Sequence, residues 1–252
     1  MTRLGGAIAL VTGASRGIGR ATALELAREG ATVVAAARDQ EALDDVAARI
    51  EAEHGRARAF ACDVTDREQV DALVAATIGR FGGLHVLVNA AQTTPPDECL
   101  ESYPLDGWEP ALRSGVFGTL FAMQAAFPHL RAAGEASVVN FGDPDAIVGE
   151  PGKVAMNVTK AGVLALTRTA AREWGRYGIR VNAVNATARS ERVVKDLERD
   201  PSLEPWLASQ IPSGVLGDPR DVARAVVFLA SSDSGMLTGS TIEVDGGRAM
   251  FA

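Results

Sequence analysis

The residues best suited to chemistry begin with one octapeptide, Thr12-Gly13-Ala14-Ser15-Arg16-Gly17-Ile18-Gly19. It follows a short apolar run and opens a helical pattern. Glycines permit a tight turn and let backbone approach a phosphate closely. The helix that follows offers unpaired N–H groups and the positive end of its dipole. Gly13, Ser15, Gly17, Ile18 and Gly19 are therefore candidate contacts to a dinucleotide diphosphate. The spacing is Gly-x-x-x-Gly-x-Gly rather than the more familiar Gly-x-Gly-x-x-Gly.

The second apolar run ends at Ala37-Arg38-Asp39. An acidic residue at its end would bind adenine ribose hydroxyls and select NAD. The position expected to carry that acid is Ala37, and Arg38 follows it. Arg16 and Arg38 together could clasp a 2′-phosphate with two guanidinium groups. NADP(H) is thus expected ahead of NAD(H). Two surface arginines and no cofactor at all are the alternatives.

These residues need a frame. Ala7–Val11, Thr32–Ala36, Ala57–Ala61, Leu84–Val88, Ala136–Asn140, Ile179–Ala183 and Ser240–Val244 read as buried strands. They are short, apolar and bounded by glycine or polar residues. Helical patterns lie between them, at Gly17–Arg28, Gln40–Glu53, Arg67–Phe81, Trp108–Ala132, Lys153–Arg176 and Pro219–Ala230. Such alternation predicts one α/β domain over residues 1–252, a Rossmann-like, doubly wound parallel sheet of about seven strands flanked by helices. One segment breaks the rhythm. Residues 185–214 are charged and carry Pro201 and Pro205, and are expected to form a lid of short helices outside the strand ends.

The net charge of −7 argues against nucleic acid as a partner. Cys62 and Cys99 fit no zinc or redox spacing and are expected as reduced thiols. No metal site is expected. The start of the chain lacks the pattern of a signal peptide, and no apolar run is long enough to span a membrane. A cytoplasmic protein is the expectation.

Further along, Met156-Asn157-Val158-Thr159-Lys160, Cys62-Asp63-Val64, Arg180-Val181-Asn182-Ala183-Val184 and Val244-Asp245-Gly246-Gly247 stand in order. With the glycine turn, they make nearly the whole chain resemble the short-chain dehydrogenase/reductase family, particularly its bacterial 3-oxoacyl-carrier-protein reductase-like members. The resemblance implies that Asp63 and Val64 lie by the adenine and that Asn89 lies in the cofactor site. It also implies a catalytic tetrad of Asn, Ser, Tyr and Lys. Only Lys160 matches. Met156 stands at the tyrosine position, Asp143 at the serine position and Gly115 at the asparagine position. A thioether has no proton to give. Gln92 replaces a family glycine, and Ala186-Thr187 a family Pro-Gly. Arg189 and Glu191 take positions usually held by an aliphatic residue and a threonine. A carboxylate there would oppose diphosphate unless Arg189 neutralises it.

Few other groups could supply a proton. Tyr103 precedes a helix, and Tyr177 lies over four turns from Lys160. Burial could raise Asp143 until it donates, whereas Lys160 would favour the carboxylate. A structural Asp143–Lys160 pair is expected ahead of an acid role. Lys153 is a further possible donor, and His54, His85 and His129 read as structural.

Family members assemble through two long helices. Val116, Phe117, Leu120, Phe121 and Met123, with Val163, Leu164, Leu166 and Thr167, could form such a face or pack on the sheet. Two functions follow. The first is a pseudoenzyme-like subunit or scaffold able to bind NADP(H), assembling with itself or an active relative as a homo- or hetero-oligomer. The second is an NADP-dependent oxidoreductase for carbonyl, imine or alcohol substrates, with a nonstandard proton donor such as Asp143 or a substrate group.

Overall fold

The computed structural model describes residues 2–250, apart from the side chain of Arg192. Seven parallel strands form one sheet: β1 (Ile8–Thr12), β2 (Thr32–Ala37), β3 (Arg56–Ala61), β4 (Val86–Asn89), β5 (Ala136–Phe141), β6 (Ile179–Ala186) and β7 (Thr241–Val244). Their order is β3-β2-β1-β4-β5-β6-β7. Every residue of β1, β4 and β5 is buried, as strands covered on both faces must be.

Helices α1 (Gly17–Arg28), α2 (Gln40–Ala52) and α10 (Pro219–Ala230) cover one face; α3 (Arg67–Phe81), α5 (Gly118–Ala133) and α7 (Val154–Trp174) cover the other. The strand period of two divides β1 between these layers. Ala9 and Val11 join the first, and Leu10 the second. The chain leaves β1 for β2 on one side and later returns to β4 on the other. That reversal opens a crevice beyond the strand ends.

Two regions differ from the sequence expectation, and the short helices expected beyond β6 are present. The single helix expected over Trp108–Ala132 is α4 (Leu105–Leu112), a π-helical stretch over Arg113–Phe117, and α5. A short helix, α6 (Pro144–Val148), follows β5. Its signal was present, since Asp143 caps it and Pro144 sits at its first position. Beyond β6, α8 (Glu191–Arg199) and α9 (Leu203–Ser209) stand in the charged excursion. No helix among the described residues is long and apolar enough to cross a membrane.

Candidate functional site

A cleft of about 700 Å³ lies at the crevice. Gly13, Ser15, Arg16, Gly17, Ile18, Gly19, Arg38, Asp63 and Val64 line one end. Asp143, Met156 and Lys160 line the other, with Gln92, while Ser190 and Glu191 stand beside Gly17. Two candidates are not on this wall. Asn89 is buried, and its amide donates to Asn140 Oδ1 at 2.8 Å. Gly115 is buried behind Gln92.

The glycine turn is forced by packing before any ligand is considered. Gly13 has φ 69°, and a Cβ there would lie 2.7 Å from the backbone of Ala90 and Ala91. A Cβ on Gly19 would run into the Gly13 carbonyl. The fold itself needs both glycines, so their presence alone does not report a bound dinucleotide. The arginines point to one more directly. Arg16 and Arg38 are exposed at the cleft rim. Asp39, the neighbouring acid, accepts from Ala42 N–H at 3.1 Å and caps α2. Asp63 accepts from the N–H and hydroxyl of Thr65, both at 2.9 Å. This end of the cleft therefore carries two exposed guanidinium groups.

The diphosphate position is different. The first N–H of α1, on Gly17, donates to Glu191 Oε2 at 2.6 Å. Glu191 Oε1 is ion-paired with Arg20. The sequence expectation named Arg189 as the neutralising partner, but Arg189 pairs with Glu204 at 2.7 Å. Arg20 lies one turn into α1, next to the N–H that Glu191 accepts from, whereas Arg189 is drawn toward α9.

At the far end, Lys160 is buried and its Nζ donates to the Phe141 carbonyl at 3.0 Å. Burial lowers its pKa, and the Asp143 charge partly opposes that. The Asp143 carboxyl accepts from Asp145 N–H at 2.9 Å. Burial, then the Asp145 charge, pushes it above the ordinary carboxylate range, against that hydrogen bond, Lys160 and Lys153. The expected Asp143–Lys160 pair is thus corrected. The two groups feel each other across the cleft, but each is bonded to backbone. Lys153 is no ready donor either. Burial favours its neutral form, but the 2.6 Å contact with Asp145 outweighs this and raises its pKa. Asp145 also holds Arg248 at 2.8 Å, and Arg248 reaches Glu150 at 2.8 Å. Sequence reading missed this network, which ties the chain after β7 to α6.

No phenol reaches the cleft. Tyr103 donates to the Pro96 carbonyl at 3.3 Å, and Tyr177 packs edge-on to Phe127. Met156 therefore presents a thioether where a hydroxyl would be needed. Cys62 lines the other end, its thiol pushed up to about 11 by burial and nearby carboxylates, and is unreactive at neutral pH. His85 Nδ1 accepts from Ile8 N–H at 3.1 Å.

Gln92 fills the space that a side chain at 115 would take. A Cβ on Gly115 would lie 2.5 Å from Gln92 Oε1 and collide with Thr159 Cγ2. Gln92 Nε2 donates to the Thr93 carbonyl at 2.8 Å, while its buried Oε1 has no protein partner. Sequence reading noticed Gln92 but could not connect it to Gly115, because the contact spans two elements.

Comparison with known proteins is consistent with this geometry. A sequence profile of the enoyl-(acyl carrier protein) reductase family matches residues 13–249. The chain is 36% identical over 245 residues to a 3-oxoacyl-(acyl-carrier-protein) reductase of Thermotoga maritima, covering 97% of this chain and 98% of that one. It is also 36% identical over 250 residues to a gluconate 5-dehydrogenase of Gluconobacter oxydans, covering 97% and 95%. A crystal structure from Sinorhizobium meliloti, described as a short-chain alcohol dehydrogenase, superposes with a TM-score of 0.92. It is 34% identical and covers 98% of each chain.

Proposed function

The chain belongs to the short-chain dehydrogenase/reductase family of oxidoreductases, and from that premise we propose that it is a subunit without ordinary carbonyl–alcohol chemistry. It keeps a cleft for NADP(H) and assembles with itself or with an active relative. The observation that carries this reading is Met156 on the cleft wall beside Lys160, with no phenol in reach. NADP(H), when bound, supplies or accepts the hydride. This chain's residues would have to supply the proton, and the usual acid is missing. Arg16 and Arg38 would hold the 2′-phosphate, with Asp63 and Val64 beside the adenine.

A second reading has one observation in its favour. Asp143 is half-buried on the same wall, its carboxyl is raised, and Lys160 does not ion-pair with it. A protonated Asp143 could serve a carbonyl or imine in place of tyrosine.

Purified protein, given NADPH and a panel of aldehydes, ketones and cyclic imines, discriminates the two. The subunit reading expects no NADPH oxidation above the cofactor's own decay between about pH 6 and 8, where a poised general acid would work best. Turnover abolished by Asp143→Asn would replace it with the second reading. The double substitution Met156→Tyr, Asp143→Ser serves as control: a working nonstandard enzyme loses its native turnover, whereas the subunit has none to lose.

A further inference from the structure

The first N–H of α1 is the donor that a diphosphate oxygen would use at this crevice. It is already taken by an anion from the chain itself. Glu191 Oε2 accepts from Gly17 N–H at 2.6 Å, across 174 residues of sequence. Its other oxygen is held by Arg20, one turn further along the same helix. A carboxylate with both oxygens bound is fixed in position rather than brushing past. A Cβ on Gly17 would meet Oε2 at an ordinary 3.5 Å, so it is the φ of 57° rather than space that calls for glycine there.

The carboxylate arrives on the excursion after β6. It is the first residue of α8, and Ser190 beside it also lines the cleft. Two further contacts fix that entry. Arg189 N–H donates to the Gly217 carbonyl at 2.8 Å, and the Arg189 guanidinium pairs with Glu204 of α9 at 2.7 Å. The lid helices and the phosphate turn are thus joined through one side chain.

We propose that Glu191 is an internal diphosphate mimic that sets the affinity of this cleft for dinucleotides. It completes the anion site at the α1 N-terminus from within, and a dinucleotide must displace it, and α8 with it, to bind. One N–H cannot serve the carboxylate and a phosphate oxygen together, and the two anions repel at this separation. The inference rests on the reading of the cleft as an NADP(H) site, and it specifies how entry to that site is controlled. Adenosine groups that stop short of the diphosphate do not meet Glu191.

Calorimetric titration tests this. NADPH, ADP and adenosine 2′-monophosphate are titrated into the wild type, Glu191→Gln, Glu191→Ala and the lid control Glu198→Gln, an exposed residue of α8. Both Glu191 variants should bind NADPH and ADP at least tenfold more tightly than the wild type. Adenosine 2′-monophosphate, which has no diphosphate, should bind all four proteins alike, and Glu198→Gln should follow the wild type. Hydrogen exchange gives a second readout, because NADPH added to the wild type should deprotect residues 190–199. Equal NADPH affinity in the wild type and both Glu191 variants would overturn the mimic and leave the NADP(H) reading intact. Absence of NADPH binding at millimolar concentration in all four proteins would overturn both. Unfolding midpoints recorded alongside show whether each variant is folded.

Discussion

Asp143 is held between opposing influences. Burial and the Asp145 charge favour its protonated form, while the Asp145 N–H, Lys160 and Lys153 favour the carboxylate, and the first group prevails. A carboxyl raised above its unfolded value contributes stability that is complete at acid pH. That contribution is lost as the pH rises through the folded value. Asp143→Asn keeps a side-chain oxygen for the α6 cap but removes the titration. The variant should therefore match the wild type near pH 4 and become the more stable of the two as pH rises to 7. Urea unfolding at a series of pH values measures this directly. Parallel profiles would mean that Asp143 has an ordinary carboxyl, and the second functional reading would lose its proton donor. The same position shows what one residue can reveal in sequence. Asp143 was visible as a departure, while the helix start at Pro144 went unread. Which hydrogen bond the carboxyl makes depends on Asp145 and on burial that only the folded chain supplies.

At the scale of elements, the π-helical stretch between α4 and α5 is built around an absence. Ser114 Oγ donates to the Pro110 carbonyl at 2.8 Å, and Gly115 offers no side chain to Thr159 or Gln92. Gly115→Ala must push a methyl into both, which is expected to cost about 1–3 kcal/mol. In a background of Thr159→Ser and Gln92→Gly the colliding atoms are gone, and the cost should fall below about 1 kcal/mol. Denaturant unfolding of the single and triple variants checks the coupling, and an undiminished cost in the triple variant would refute it. Returning an asparagine to position 115 is therefore not a one-residue change. The strands were legible because buried parallel strands write short apolar runs, as Val33–Ala36 does between Gly30 and Arg38. The helical break at 113–117 was not, although Pro110, Gly115 and Gly118 are all weak helix formers. The reason for the break lies on α7 and in the loop after β4. The glycine turn was legible too, but Gly13 and Gly19 answer to backbone packing, so it speaks for the fold more than for a ligand.

At the scale of the molecule, α7 links the altered cleft to the outer surface. Met156 and Lys160 line the cleft, while Val158, Ala161 and Ala165 turn outward at helical spacing. The apolar set expected at an assembly face divides in the structure. Met123, Val163, Leu164 and Thr167 are buried. Val116, Leu120, Phe121 and Leu166 are half-buried, while Phe117 and Val158 remain 46% and 45% exposed. Phe117 lies tilted against Phe121 with ring centroids 6.3 Å apart. An outward stripe of this kind on the π-helical stretch and α7 is costly in water and would be covered by a matching helix pair from a second subunit. The wild type is accordingly expected to sediment as a dimer or larger assembly. Phe117→Glu with Val158→Glu should shift it to monomer. The thermal midpoint should move by only a few degrees, because neither side chain belongs to the core. Analytical ultracentrifugation with thermal unfolding separates the outcomes. A wild type that stays monomeric alone and beside a co-expressed active relative would leave the subunit reading without a partner face. Loss of fold in the double variant would instead place these residues in the core. Dissociation at an unchanged midpoint is the result that joins the missing proton donor to a role in assembly.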